Sequence, residues 1–235
     1  MDVTEEHNAA KLRREFSANV SHELKTPLQS IIGSAELLES GMVKPEDAPR
    51  FVGHIRREAK RLVNLIEDII RLSQLDEGVA MPTETVDILA LAEEVQSILR
   101  PSAEDRNVTI AVSGAGFSVT GVRRMLHEVI YNLCDNAIKY NKLGGSVKVT
   151  VAQKPGQVLL RVQDTGIGIL PEYQEKVFER FYRVDKSHSK QSGGTGLGLS
   201  IVKRAVQYHH GKIAVESEVN KGTAITVLFD TGMTA

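Results

Sequence analysis

Residues 16–38 read FSANVSHELKTPLQSIIGSAELL, and the apolar positions Phe16, Val20, Leu24, Leu28, Ile31, Ala35 and Leu38 recur in steps of three and four. That spacing marks one face of a long helix. A second series runs Phe51, Ile55, Ala59, Leu62, Leu65/Ile66, Ile69, Leu72 and Leu75, and the segment between, Ser40 to Pro49, carries Gly41, Pro45 and Pro49. Proline near a helix start forfeits only an N–H that would have stayed unpaired, so the segment reads as a turn between two antiparallel helices. Each helix is expected to run about 25 residues, or about 38 Å at ~1.5 Å per residue. Two helices cannot cover their own apolar faces, and Leu62/Val63, Leu65/Ile66 and Ile69/Ile70 widen the stripe beyond a two-helix seam. The expectation is a hairpin that pairs with a second copy as a homodimeric four-helix bundle.

The chain continues to 235 residues, 41% apolar and 25% charged, the composition of a soluble globular protein rather than a disordered or collagen-like one. Lys and Arg number 29 against 30 Asp and Glu, so there is no basic field to draw nucleic acid, and no nucleic-acid partner is expected. Cys134 is the one cysteine, which excludes an internal disulfide and a cysteine-based zinc site. No stretch approaches the ~20 apolar residues of a membrane span.

Asp76 to Thr85, with Gly78 and Pro82, lacks a helical pattern and reads as a linker. The domain bounds expected are 1–77, a linker at 78–86, and 87–235. Beyond it, Asp87 caps a helix to about Asp105, and a strand covers Val108 to Val112. A helix spans Val122 to Tyr140, and strands Ser146–Gln153 and Val158–Asp164 meet at the Pro155-Gly156 turn. Pro171 to Phe181 reads as a short helix, Tyr182 to Gly193 as a polar loop, and Leu197 to His209 as a helix ended by Gly211. Strands Lys212–Ser217 and Thr223–Phe229 complete an α/β layer.

Four clusters carry chemistry. His22 lies two positions from both Val20 and Leu24, which turns it away from the apolar stripe and toward solvent, with Glu23 beside it and Thr26 one turn on. Pro27 inside this helix costs about 3 kcal/mol, a strain that functional sites tolerate. Asn132, Asn136, Lys139 and Tyr140 share one side of a helix. Two amide oxygens one turn apart suit a hard cation such as Mg²⁺, leaving Lys139 free for a phosphate. Asp164-Thr165-Gly166-Ile167-Gly168 ends a strand, and Gly193-Gly194-Thr195-Gly196-Leu197-Gly198 opens a helix, where bare backbone N–H groups attract phosphate. The last is neither a Walker loop nor the dinucleotide fingerprint, whose third glycine would fall at Leu199. Asp-Thr-Gly also recurs at Asp230, but too near the C-terminus to build the second lobe of an aspartic protease.

In order, Phe16 to Pro27, Asn132 to Tyr140, Asp164 to Gly168, Phe178-Glu179-Arg180-Phe181 and Gly194 to Leu199 resemble the H, N, G1, F and G2 boxes of sensor histidine kinases. The resemblance implies a dimerisation and phosphoacceptor hairpin followed by an α/β sandwich of the GHKL ATPase type. It implies phosphorylation of His22 by ATP, transfer to an aspartate of a response regulator, and phosphatase activity through Thr26. Carried over by position, Glu23 takes or orients the His22 ring proton, Asn136 and Asn132 hold Mg²⁺, and Lys139 contacts phosphate. Tyr140 packs on adenine and Asp164 accepts from its amine. Gly166 and Gly168 line the base pocket, Arg183 reaches the γ-phosphate, and Gly194, Thr195, Gly196, Leu197 and Gly198 form the phosphate loop and lid hinge. The family usually places a sensor, often membrane-anchored, before the hairpin, so the expectation is a cytoplasmic fragment of such a protein. A clamp ATPase of the gyrase kind and a silent dimeric scaffold remain the alternatives.

Overall fold

The computed structural model describes residues 3–76, 81–184 and 194–231. Helix α1 spans Val3–Glu39 and α2 spans Ala48–Asp76, joined through Gly41 at φ 69°. α1 starts earlier than its apolar repeat, because the residues before Phe16 include the strong helix formers Ala, Lys, Leu, Arg and Glu. It also runs through Pro27 as one continuous helix. Between the two helices, Ser30 Oγ lies 2.8 Å from His54 Nε2.

The predicted stripe is only partly covered. Leu28 and Ile32 are each 47% exposed, and Val63, Ile66 and Ile70 are exposed to a similar degree, as expected for a hairpin whose second face has no cover within one chain. At its far end the hairpin is buried. Leu65, Leu72 and Leu75 belong to the same continuous core as the α/β layer.

That layer begins with β1 (Glu84–Asp87), α3 (Ile88–Glu104), β2 (Thr109–Gly114), β3 (Ser118–Gly121) and α4 (Arg123–Lys139). It continues with β4 (Ser146–Lys154), β5 (Gln157–Asp164), α5 (Gly198–Tyr208), β6 (Lys212–Glu218) and β7 (Gly222–Asp230). The five-stranded sheet has the order β2-β4-β5-β7-β6, with β2 and β4 parallel and the other pairs antiparallel. Period-two alternation sends Val147, Val149 and Val151 of β4 and Val158, Leu160 and Val162 of β5 into the core, where α3, α4 and α5 supply Leu91, Val129, Leu133 and Val202. Asp87 Oδ1 caps α3 by accepting from the N–H groups of Leu89 and Ala90, as its side chain predicts.

Three expectations change. β1 starts inside the expected linker and pairs with β3, because strands of four residues are too short to show a period. Pro171 to Phe181 forms two 3₁₀ turns, Pro171–Tyr173 and Lys176–Phe178, with Gln174 Nε2 bonded to the carbonyls of Ile169 and Ser217. The left-handed residue ending α5 is His210 at φ 53°, not Gly211. Residues 185–193 of the expected loop lie outside the described residues.

His209 caps this end of the layer. Its Nε2 accepts from the Val122 N–H at 3.0 Å and its Nδ1 pairs with the Ala205 carbonyl at 2.7 Å, which uses both ring nitrogens of the neutral form. Burial lowers its pKa. The unfolded chain therefore binds this proton more readily, and the stabilisation is full above ~6.5 and is lost as pH falls below it. The melting-temperature difference between the wild-type chain and His209→Phe is expected to be largest above neutrality and to shrink in acid. A difference independent of pH would contradict this.

Candidate active site

A cavity of about 1290 Å³ opens between α2, α4, the end of β5 and the start of α5. α4 turns Asn132, Asn136, Lys139 and Tyr140 toward it, the single side that their spacing predicts. Asn132 donates Nδ2–H to the Glu128 carbonyl at 2.9 Å. Its Oδ1 faces Gly198, where an added Cβ would sit only 2.9 Å from that oxygen. Lys139 is not free as expected, since Nζ lies 2.6 Å from Asp135 Oδ2, though an ammonium retains two further donors.

At the opposite wall, Asp164 Oδ1 accepts from the Gly166 N–H at 2.7 Å and the Thr223 N–H at 3.2 Å. Burial raises its pKa, and the two N–H groups work against that. With Oδ1 so occupied, Oδ2 is the oxygen available to another donor. Gly168 has φ +72°, and a Cβ there would meet the Glu218 carbonyl oxygen at 2.1 Å, so only glycine lets this loop lie against the β6–β7 turn. Ile167 and Gly168 line the cavity, whereas Gly166 contributes through its N–H to Asp164.

Gly194, Thr195, Gly196 and Gly198 line the cavity where α5 begins, an end whose free N–H groups favour an anion. Leu197 does not line it. Its side chain is 0% exposed and anchors the loop in the core. The loop is tied to the F-box segment by Phe181, held at φ 62°, whose N–H donates to the Gly196 carbonyl at 2.9 Å.

Arg183 also lines the cavity, and its Nη2 is buried without a hydrogen-bond partner among the described residues. Burial lowers its pKa against the opposing charge of Glu23. Its Nη1 is 3.9 Å from Glu23 Oε2, and Arg61 Nη2 is 3.7 Å from the same oxygen. The other oxygen of Glu23 lies 3.8 Å from His22 Nδ1, and the His22 side chain is 80% exposed. Thr26 Oγ1 donates to the His22 carbonyl at 3.1 Å. His22, Glu23 and Thr26 thus stand outside the cavity, linked to it by one guanidinium.

The hairpin meets the α/β layer through pairings that no local pattern predicts. Asp76 accepts from Arg180 Nη2 at 2.7 and 2.8 Å and from Arg204 Nη2 at 2.6 Å. Arg71 Nε is 3.2 Å from Glu128 Oε1, and Asp68 Oδ2 accepts from Thr195 Oγ1 at 2.7 Å. Phe16 packs on Phe181 with ring centroids 5.8 Å apart, beneath Arg180. Among the described residues no helix is long and apolar enough to cross a membrane, and no group of three or more His, Cys, Asp and Glu side chains could hold a metal ion.

This two-part architecture agrees with known proteins. Residues 12–78 match the His Kinase A phospho-acceptor domain, and residues 121–233 match the histidine kinase-, DNA gyrase B- and HSP90-like ATPase. The chain is 34% identical to the sensor protein SrrB of Staphylococcus aureus over 96% of its own length, and spans 39% of that relative. The structure of the mycobacterial sensor histidine kinase MprB is 31% identical with a TM-score of 0.57, covering 63% of this chain and 97% of its own. Full-length ShkA, solved in complex with AMPPNP, is 27% identical with a TM-score of 0.69 over 94% of this chain and 47% of its own. A phosphoacceptor hairpin docked on an ATPase layer, with both family models matched in that order, makes this chain a member of the sensor histidine kinases.

Proposed function

We propose that the chain binds ATP in the cavity and transfers its γ-phosphoryl group to His22, residues 1–77 serving as acceptor and dimerisation domain, 78–86 as linker and 87–235 as catalytic domain. The observation that carries this is Arg183, which lines the cavity with an Nη2 that has no partner among the described residues and reaches Glu23 beside the exposed His22. Adenine sits against Tyr140 beside Ile167 and Gly168, its amine donating to Oδ2 of Asp164, whose carboxylate is held by the Gly166 N–H. The phosphates reach the N–H groups at Gly194 to Gly198 and Lys139. The amide oxygens of Asn132 and Asn136 fit Mg²⁺, which when bound would screen phosphate charge and orient the γ-phosphoryl group.

His22 Nδ1 faces Glu23, which leaves Nε2 as the nitrogen with the lone pair. Nε2 forms the bond to phosphorus, the bond from phosphorus to the β–γ bridging oxygen breaks, and ADP leaves. Glu23 takes the Nδ1 proton, and Arg183 offsets charge on the transferring group. The phosphoryl group then passes to an aspartate of a response regulator, and Thr26 orients water for hydrolysis of that phosphoaspartate to aspartate and phosphate. The exposed Leu28, Ile32, Val63, Ile66 and Ile70 support a homodimer with a second hairpin. Use of ATP and a receiver domain places this part of the protein in the cytoplasm, with an anchor or sensor outside it.

Incubation with γ-labelled ATP and Mg²⁺ is expected to give label on the protein that survives alkali and is released by acid, as a phosphorus–nitrogen bond requires. Acid-stable label would overturn histidine as the acceptor. Nucleotide binding with no label would favour the scaffold, and phosphate release without label the clamp ATPase.

A further inference from the structure

The cavity has an acidic wall that nucleotide binding does not ask for. α2 brings Glu67 and Asp68 to it, and α4 adds Glu128. Burial raises the pKa of Asp68 and of Glu128, and Glu67 and Glu128 are paired with Arg71 and Arg124, so of these three carboxylates Asp68 is the one whose charge bears on the glycine-rich loop. Asp68 Oδ2 also holds the Thr195 hydroxyl at 2.7 Å, in the middle of the glycine-rich loop. A hydroxyl has one proton to donate, and while Asp68 accepts it no phosphate oxygen can.

Asp68 is held in place by the docked end of α2 that follows it. Eight residues on, Asp76 is clamped by Arg180 and Arg204, and between them Arg71 pairs with Glu128 across the interface while Leu72 is fully buried. The contact with Thr195 therefore belongs to a docked face of α2 rather than to one wandering side chain.

We propose that Asp68 is a further residue of the nucleotide site, supplied by the hairpin, which competes with the phosphates for Thr195 and repels them. Docking of α2 and binding of a polyphosphate then oppose each other. This rests on reading the cavity as the nucleotide site. By thermodynamic reciprocity, whatever seats α2 on the loop weakens ATP, and ATP loosens that seat.

Calorimetric titration of the 235-residue chain and its Asp68→Ala and Asp68→Asn variants with a non-hydrolysable ATP analogue plus Mg²⁺, with ADP and with adenosine tests this. Asp68→Ala is expected to tighten the ATP analogue about fivefold or more, ADP less, and adenosine by under about twofold. Asp68→Asn, which keeps an acceptor for Thr195 and loses the charge, gives a smaller gain in the same order. An equal gain for adenosine, no gain, or weaker binding of the analogue would overturn the proposal. Absence of binding of all three ligands to the unmodified chain would instead overturn the nucleotide-site reading beneath it.

Discussion

In His22→Gln the label from γ-labelled ATP is expected to fall to background, while affinity for ATP stays unchanged. The imidazole is 80% exposed, so its replacement removes no packing, and substitutions of this kind usually shift stability by about 0.5 kcal/mol or less. What is lost is chemical. Glutamine has an amide nitrogen whose lone pair is delocalised into its carbonyl, and it cannot attack phosphorus as Nε2 does. His54→Gln provides the contrast, since His54 is engaged with Ser30 inside the hairpin and is expected to leave the labelling site intact. Label that persists in His22→Gln at the wild-type level would move the acceptor to another residue.

Replacing Asp164 by alanine is expected to weaken ATP by about 100-fold or more and to lower the melting temperature. Two N–H groups, of Gly166 and Thr223, lose their shared acceptor, and buried donors left unsatisfied cost roughly 1–3 kcal/mol each. The acceptor proposed for the adenine amine disappears with them. Asp164→Asn separates the two effects. Its single carbonyl oxygen can take both N–H groups, but its nitrogen replaces the second acceptor with a donor. Burial raises the Asp164 pKa, so the folded state holds that proton more tightly than the unfolded one. The charged form therefore burdens the fold at neutral pH, a burden relieved only as pH falls through the folded pKa. A neutral Asn is accordingly expected to match or exceed wild-type stability at pH 7 while binding ATP poorly. ATP affinity unchanged in Asp164→Ala would remove Asp164 from the base pocket.

Much of this was open to reading from local pattern. The three- and four-residue steps of Phe16 to Leu38 gave the first helix, Asp87 announced its cap, and the side chains of Asn132, Asn136, Lys139 and Tyr140 fell on one face because helical geometry leaves no other choice. β1 and β3 escaped because four residues hold too few repeats to separate a strand from a loop. The Leu197 side chain shows another limit of local pattern. The motif names it among the loop residues, but its apolar side chain gains more from the core than from the cavity.

Sequence alone therefore determined the two architectures, the exposed His22 and the shared face of Asn132, Asn136, Lys139 and Tyr140, because helical and strand periods and glycine conformations are properties of neighbouring residues. Only the tertiary structure decided how the two parts meet. Arg180 reaches Asp76 across 104 residues, and Thr195 reaches Asp68 across 127. A charged side chain on a helix reads as a solvated face until the fold brings an opposite charge or a hydroxyl to it, and that partner is chosen by packing, not by position along the chain.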